Sequence, residues 1–301
     1  MDRRMPGMPG KPIEFRAPRR DAERPPNFQS AYRKAAEITA QHSLKLESFI
    51  RPDGSNKRVV ENNLAYVEKR RSGFKDLDRQ GYVLAKTFEA ALFEGVNKSN
   101  WFGDHVTMVM PSEYDDLANG IDGVLEIQEG EGRMSHIGLG IDVTYNQEPD
   151  KKFQIIKEQI DEGRLGLVKY FRSSDGTYEG SLENLPRAIV ILKAGDARNI
   201  VRDWDENTQS ADTVHRKIIL CQLEIQLEAY QAYAEQLEQA DEERYPISKF
   251  FAMALRNISA LLAEITRPEE LAHINNHPSI KLVKDQLDQL GLGEAPLAQA
   301  A

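Results

Sequence analysis

The chain has 301 residues, 40% of them hydrophobic, which is enough apolar material for one sizeable core or two smaller ones and excludes disorder throughout. No window approaches the roughly 18 apolar residues that span a bilayer, and the N-terminus lacks the uninterrupted apolar segment of a secretory signal, so a cytoplasmic protein without membrane contact is expected. The net charge of −9 argues against a uniformly basic coat for nucleic acid, and the single cysteine, Cys221, excludes an internal disulfide or a Cys-based zinc site.

Residues 1–34 hold nine Lys or Arg against four acids, together with six prolines. A basic, proline-rich leader of this kind cannot bury a core, and residues 1–28 are read as a disordered tail able to touch a polyanion. Residues 29–75 form a helical lead-in, with helices over 29–50 and 57–71 separated by the Arg51-Pro52-Asp53-Gly54 turn signal. The spacing of Leu77, Leu84, Phe88, Ala91 and Leu92 predicts a better-patterned helix over 76–96, with Glu89 at the edge of its apolar stripe.

Three segments with strand character follow, at 106–110, 121–128 and 136–145, rich in β-branched or large apolar residues and bounded by Gly, Asp and Pro. The acidic Tyr114-Asp115-Asp116 between the first two reads as a loop, with an added metal ligand as the alternative, and Trp101 and Phe102 just upstream as core or cap packing, with stacking on a base as the alternative. A helix over 150–162 carries Phe153, Ile156 and Ile160 on one face, and strands are expected at 167–172 and 188–192. From residue 209 the chain is helical and acidic, with eight Lys or Arg against fourteen acids. Two seams, from Leu220 to Leu237 and from Ile247 to Ile265, alternate spacings of three and four, which predicts a helical hairpin or half of a homo-oligomeric bundle. The His273-to-His277 pair has zinc-helix spacing but lacks the glutamate and is followed by Pro278, so it is set aside.

The segment at 136–145, HIGLGIDVTY, sorts by period two into an apolar face (Ile137, Leu139, Ile141, Val143, Tyr145) and a face of Gly138, Gly140, Asp142 and Thr144. The second face leaves room for a ligand or for close backbone approach. A hairpin turn centred near Gly132 would set Asp122 opposite Asp142 and Glu126 opposite Gly138, with the two aspartates roughly 5 Å apart. Like charges at that distance need a cation, a shared proton or a basic neighbour. A hard divalent ion, Mg²⁺ or Mn²⁺, suits an all-oxygen site and phosphodiester chemistry.

The order helix, three strands, helix, strand, with Asp122 on the second strand and Asp142 two residues before the motif's lysine position on the third, resembles the PD-(D/E)xK, or restriction-endonuclease-like, nuclease superfamily. The resemblance covers about residues 76–192. It implies an α/β fold with an αβββαβ core in a domain over 76–208, between the lead-in and a C-terminal unit over 209–301. It also implies a metal-dependent nuclease with Asp122 and Asp142 as metal ligands and Glu89 as the acid often found on the first core helix. Threonine, at 144, stands where the motif has lysine. In such nucleases the following helix can supply that lysine, which makes Lys157 the first candidate, with Lys152 and Lys169 behind it. The rival expectation is an inactive domain of the same architecture that works through its C-terminal helices.

Overall fold

The computed structural model describes residues 29–73, 79–144, 151–208 and 213–293, without the side chains of residues 73, 79, 80, 131 and 142–144. The fold is mixed α/β. Residues 1–28, the basic tail of the sequence analysis, lie outside the described residues, as does the side chain of Asp142. Among the described residues no helix is long and apolar enough to cross a membrane.

The chain opens with α1 (Gln29–His42), a 3-10 turn at Leu46–Phe49 and α2 (Lys57–Gly73). The helix expected over 29–50 therefore ends at His42. Next come α3 (Arg79–Asn97), β1 (Val106–Val109), α4 (Glu113–Asn119), β2 (Gly123–Glu129) and β3 (Arg133–Thr144). The acidic segment read as a loop is thus a short helix. Ser112 caps it by accepting from the Asp115 amide, and Gly120 ends it with a φ of 63°, a left-handed conformation that glycine adopts without strain.

After β3 the chain forms α5 (Lys151–Asp161) and a hairpin of β4 (Gly166–Arg172) and β5 (Glu179–Leu185), the latter not foreseen. It then returns as β6 (Arg187–Lys193) and passes directly into another unforeseen helix, α6 (Ala194–Asp205). The strands β1, β2, β3 and β6 make one sheet in that order, antiparallel except that β3 and β6 run parallel, while β4 and β5 pair only with each other. Parallel strands need a long crossover, and α5 with the β4–β5 hairpin supplies it.

Both faces of the sheet are buried. Leu125, Ile127, Ile137, Leu139 and Ile141 join the main core with Leu84, Phe88 and Leu92 of α3. On the reverse face Val124 packs with Val168, Phe171 and Leu185 of the hairpin. The main core also takes in the C-terminal helices α7 (Val214–Ala240), α8 (Ser248–Ile265), α9 (Pro268–Asn275) and α10 (Pro278–Gln289). The expected seams are present, with Leu220, Leu223, Leu227, Tyr230, Phe251, Ala254 and Ile258 buried and the Tyr230 and Phe251 rings 5.7 Å apart.

Side-chain amides close both edges of the sheet. On β1, Asn97 accepts from the Met108 amide at 3.0 Å and donates to its carbonyl at 2.9 Å. On β6, Gln226 does the same for Ile189 and Gln222 for Ile191, all four bonds at 2.8 Å. The match is geometric: four residues of helix rise about 6 Å, close to the roughly 6.6 Å between alternate residues of a strand. Two glutamines one turn apart on α7 thus reproduce the hydrogen bonding of a missing strand. Gln226→Leu keeps the bulk but strands a buried amide and a buried carbonyl of Ile189. We expect a loss of about 2–4 kcal/mol in urea unfolding, and a loss below about 0.5 kcal/mol would mean that water or a shift of the helix replaces the bonds.

Candidate active site

Of the candidate residues, Asp122 and Glu89 are brought together through Lys86 where α4 turns into β2. Pairing of Glu129 with Arg133 centres the hairpin at residue 131, so Gly123 faces Leu139 and Glu126 faces His136. The register differs by two residues from the one expected: Asp122 stands level with Gly140, and Asp142 is two residues further along, paired with Ile191 of β6. The cause is the tight 3-10 turn at Gly130–Gly132, which shortens the connection between the two strands.

Asp122 continues the ladder with both backbone and side chain. Its amide donates to the Leu139 carbonyl at 2.7 Å, and its Oδ2 accepts from the Ile141 amide at 2.7 Å. The glycine face of β3 is filled by close approach. A Cβ at Gly140 would lie 2.7 Å from Ile189 Cδ1 and 3.5 Å from Lys152 Cδ, and one at Gly138 would lie 3.0 Å from Leu185 Cδ2 and 3.3 Å from Arg187 Cγ. Small residues there admit the stems of two cations over the strand.

Three carboxylates and two ammonium groups then form a connected cluster. Lys86 of α3 reaches Glu89 Oε2 and Asp116 Oδ2, each at 2.8 Å, and Asp122 Oδ1 at 3.8 Å. Lys152, on the first turn of α5, reaches Asp122 Oδ2 at 2.9 Å and also donates to the Ile141 carbonyl. Lys157, the lysine placed first from the sequence, is engaged elsewhere, with Asp161 at 2.8 Å and the Tyr233 hydroxyl at 2.9 Å, where it ties α5 to α7. Lys169 sits over the rings of Tyr114 and Tyr170. Sequence reasoning ranked Lys157 above Lys152 because it borders the apolar stripe of α5. The first helical turn, however, is the part of α5 that meets Asp122.

Beside the cluster, Arg187 is 3% exposed and donates through Nη2 to the Gly120 carbonyl at 2.8 Å, holding the turn that presents Asp122. Burial lowers its pKa to about 10, with Asp122 opposing the shift. Burial also acts on the acids, and the outcome differs by neighbour. Glu89 is pushed up to about 8 by burial and by Asp122 and Asp116, against the pull of Lys86. Asp116 is pushed up to about 6 by burial and by Asp122, again against Lys86. Asp122 is also buried, but Lys152, Lys86 and the Ile141 amide outweigh that and hold it well below the usual carboxylate range. One acid therefore stays ionised at all physiological pH values while another keeps a proton near neutrality.

Other sequence candidates resolve as structure. Glu126 is fully buried, accepting from the Ser174 amide at 2.8 Å and facing His136 Nε2 at 3.3 Å, so it pins the β4–β5 turn to the sheet. Asp115 docks α4 on β4 by accepting from the amides of Lys169 and Tyr170. Trp101, Phe102 and Cys221 are buried, and burial pushes the Cys221 thiol up to about 11. Lys86 was not foreseen as the cation that joins Glu89, Asp116 and Asp122. The spacing of Lys86 from Glu89, one turn apart on α3, was the available signal.

Among the described residues no three His, Cys, Asp or Glu side chains converge as a ready-made metal cage. Mg²⁺ needs only one or two carboxylates and keeps several waters, and its ligands must be deprotonated. Asp122 meets that requirement, with its Oδ2 already accepting from Lys152 and the Ile141 amide. Comparison of the chain with protein-family models, with curated proteins and with solved structures finds no match.

The raised pKa of Glu89 sets a sign. Between the ordinary value of 4.5 and about 8 the folded chain keeps a proton that the unfolded chain has released, so this group makes stability fall as pH rises through that window. Asp116 acts the same way between 3.8 and about 6, whereas Asp122 adds stability above 3.8 that is lost as pH falls below it. Glu89→Gln should flatten the decline in melting temperature between about pH 6 and pH 8.5 and make the variant the more stable chain at the upper end. A steeper decline in the variant would mean that ionised Glu89 is a net stabilising partner of Lys86.

Proposed function

We propose that the chain is a metal-dependent hydrolase of nucleic-acid phosphodiesters, built on a divergent restriction-endonuclease-like core. The observation that carries the reading is the ammonium of Lys152 on Asp122 Oδ2, 2.9 Å away. It supplies, from the helix after the third strand, the positive group that Thr144 lacks. Once α4, between β1 and β2, and the β4–β5 hairpin, between α5 and β6, are counted as insertions, the remaining order α3, β1, β2, β3, α5, β6, with β3 and β6 parallel, is compatible with the same reading.

In this proposal Asp122 and Asp142 hold Mg²⁺ or Mn²⁺. The ion, when bound, polarises the phosphoryl group and makes its water more acidic. Lys152 fixes the Asp122 carboxylate and places positive charge where an anionic substrate oxygen or the attacking water would sit. Glu89, with a pKa near 8, is suited to take up or release a proton close to working pH. Lys86 keeps the three acids together and limits their repulsion.

A second reading has its own observation. Asp122 has a side chain only 6% exposed and is already engaged by Lys152, Lys86 and the Ile141 amide, as a purely structural ion pair would be. On that reading the chain is an inactive relative of the nuclease architecture that acts through its C-terminal helices, for instance by self-association.

Incubation of the purified chain with single- and double-stranded DNA and RNA, with and without Mg²⁺ or Mn²⁺, separates the two. The hydrolase reading expects cleavage that needs the ion, falls by roughly 100-fold or more in Asp122→Asn and Lys152→Met, and persists in Lys157→Met. Absence of cleavage under every ion, with an oligomer that depends on α7 and α8, selects the structural reading.

A further inference from the structure

The outward side of α8 takes no part in the core. Phe251, Ala254, Ile258, Leu261 and Leu262 of this helix are buried. On the opposite side, at spacings of four, three, four and four, stand Lys249, Met253, Arg256, Ala260 and Glu264, all of them exposed. Met253 is 40% exposed, and the Lys249 ammonium lies 4.9 Å from the ring centre of Tyr245, itself 50% exposed. Among the described residues none of Lys249, Arg256 and Glu264 has an ion-pair partner.

This row carries its cations first and its anion last, and such a helix is complementary to a copy of itself that runs the opposite way. In an antiparallel pair about a two-fold axis, facing positions share one midpoint. Lys249 and Glu264 are centred between Arg256 and Asn257, and so are Met253 and Ala260. A single register therefore makes two ion pairs and also sets each long apolar side chain against a small residue. Beside Ala260 the surface is hollow: a cavity of about 470 Å³ is lined there by Ala260, Leu261 and Glu264 of α8 and by Ile127 of β2. Met253 of a second copy, aimed at Ala260, has this space to enter over the buried Ile127 and Leu261. Like charge near the axis is confined to the two Arg256 side chains. Arg256 lines the same cavity as Glu129, whose Oε1 accepts from Asn257 and whose Oε2 is left for a guanidinium.

We propose that the chain forms a two-fold homodimer through the outward face of α8, the two helices antiparallel, with Lys249 of each copy on Glu264 of the other and Met253 of each seated at Ala260 of the other. The proposal does not rest on the hydrolase reading, since the acidic cluster on α3, α4 and β2 contributes no residue to this face. The net charge of −9 favours this contact over less specific ones, because two such chains repel in general and associate only where opposite charges meet. A helix of 18 residues is about 27 Å long, so the interface is at the small end of specific ones and micromolar association is expected.

Sedimentation velocity of the full chain at low salt, between about 1 and 100 μM, is the test. The parent should pass from monomer to dimer across that range. Met253→Glu should stay monomeric with circular dichroism and melting temperature unchanged, its position being exposed. Lys249→Glu and Glu264→Lys should each weaken the dimer roughly 10-fold or more. Both place a charge that suits its end of the helix, so neither should harm the fold. Mixed in equal amounts, these two variants should form a heterodimer about as tight as the parent dimer, because one ion pair is then reversed in sign and the other is unchanged. A folding defect in either variant would not be repaired by mixing. A monomer at every concentration, a dimer indifferent to Met253→Glu, or a mixture no tighter than its components overturns the proposal. A dimer that follows these rules upholds it whether or not the chain cleaves nucleic acid, so it fails or stands apart from the hydrolase reading.

Discussion

Much of this structure depends on one buried carboxylate finding enough positive partners. Asp122 joins three elements at once: its amide and its Oδ2 extend the β2–β3 ladder to Leu139 and Ile141, and Lys152 brings the start of α5 onto the same oxygen. A carboxylate this far from water would be costly if left alone, and the removal of one member of such a pair leaves the other charge stranded. The turn from α4 into β2, the crossover from β3 and the approach of α3 through Lys86 are thereby held in one arrangement. Arg187 adds to it from beneath by gripping the Gly120 carbonyl.

The same cluster divides its acids by environment. Asp122 has two ammonium groups and a backbone amide, whereas Glu89 and Asp116 share one ammonium between them. Burial penalises all three, but only the first is fully compensated, which is why their proton affinities separate. Divergent pKa values among neighbouring carboxylates are the usual arrangement where one group must stay charged and another must exchange a proton. That separation is what the hydrolase proposal draws on, and an ion-pair cluster that serves cohesion alone produces it as well.

The C-terminal helices belong to the same economy of buried polar groups. An edge strand with unpaired amides invites another chain to add to it. Here Gln222 and Gln226 occupy the edge of β6, and Asn97 occupies that of β1. The inner face of α7 is consequently spent on the sheet, while its seam with α8 is spent on Phe251, Ala254 and Ile258. Any surface left for self-association on α7 or α8 is the outward one, where Met253 is exposed.

The sequence alone determined what local periodicity can determine: a mixed α/β protein, the three consecutive strands, the amphipathic α3 and α5, the two C-terminal seams, and the facing of Asp122. Each follows from residue spacing, which reports which side of an element is buried. It missed α4, β5 and α6, because α4 is short and acidic, β5 is a half-exposed strand without apolar alternation and α6 follows β6 with no intervening turn residue. The tertiary structure alone decided which groups meet. Whether Lys152 or Lys157 reaches Asp122 depends on how α5 is docked against β6 and α7, and the bridging of Glu89 and Asp116 by Lys86 depends on where α4, packed on α2 and β4, comes to lie. Such meetings are set by the rigid-body placement of elements far apart in the chain, whereas spacing along the chain reports only on each element by itself.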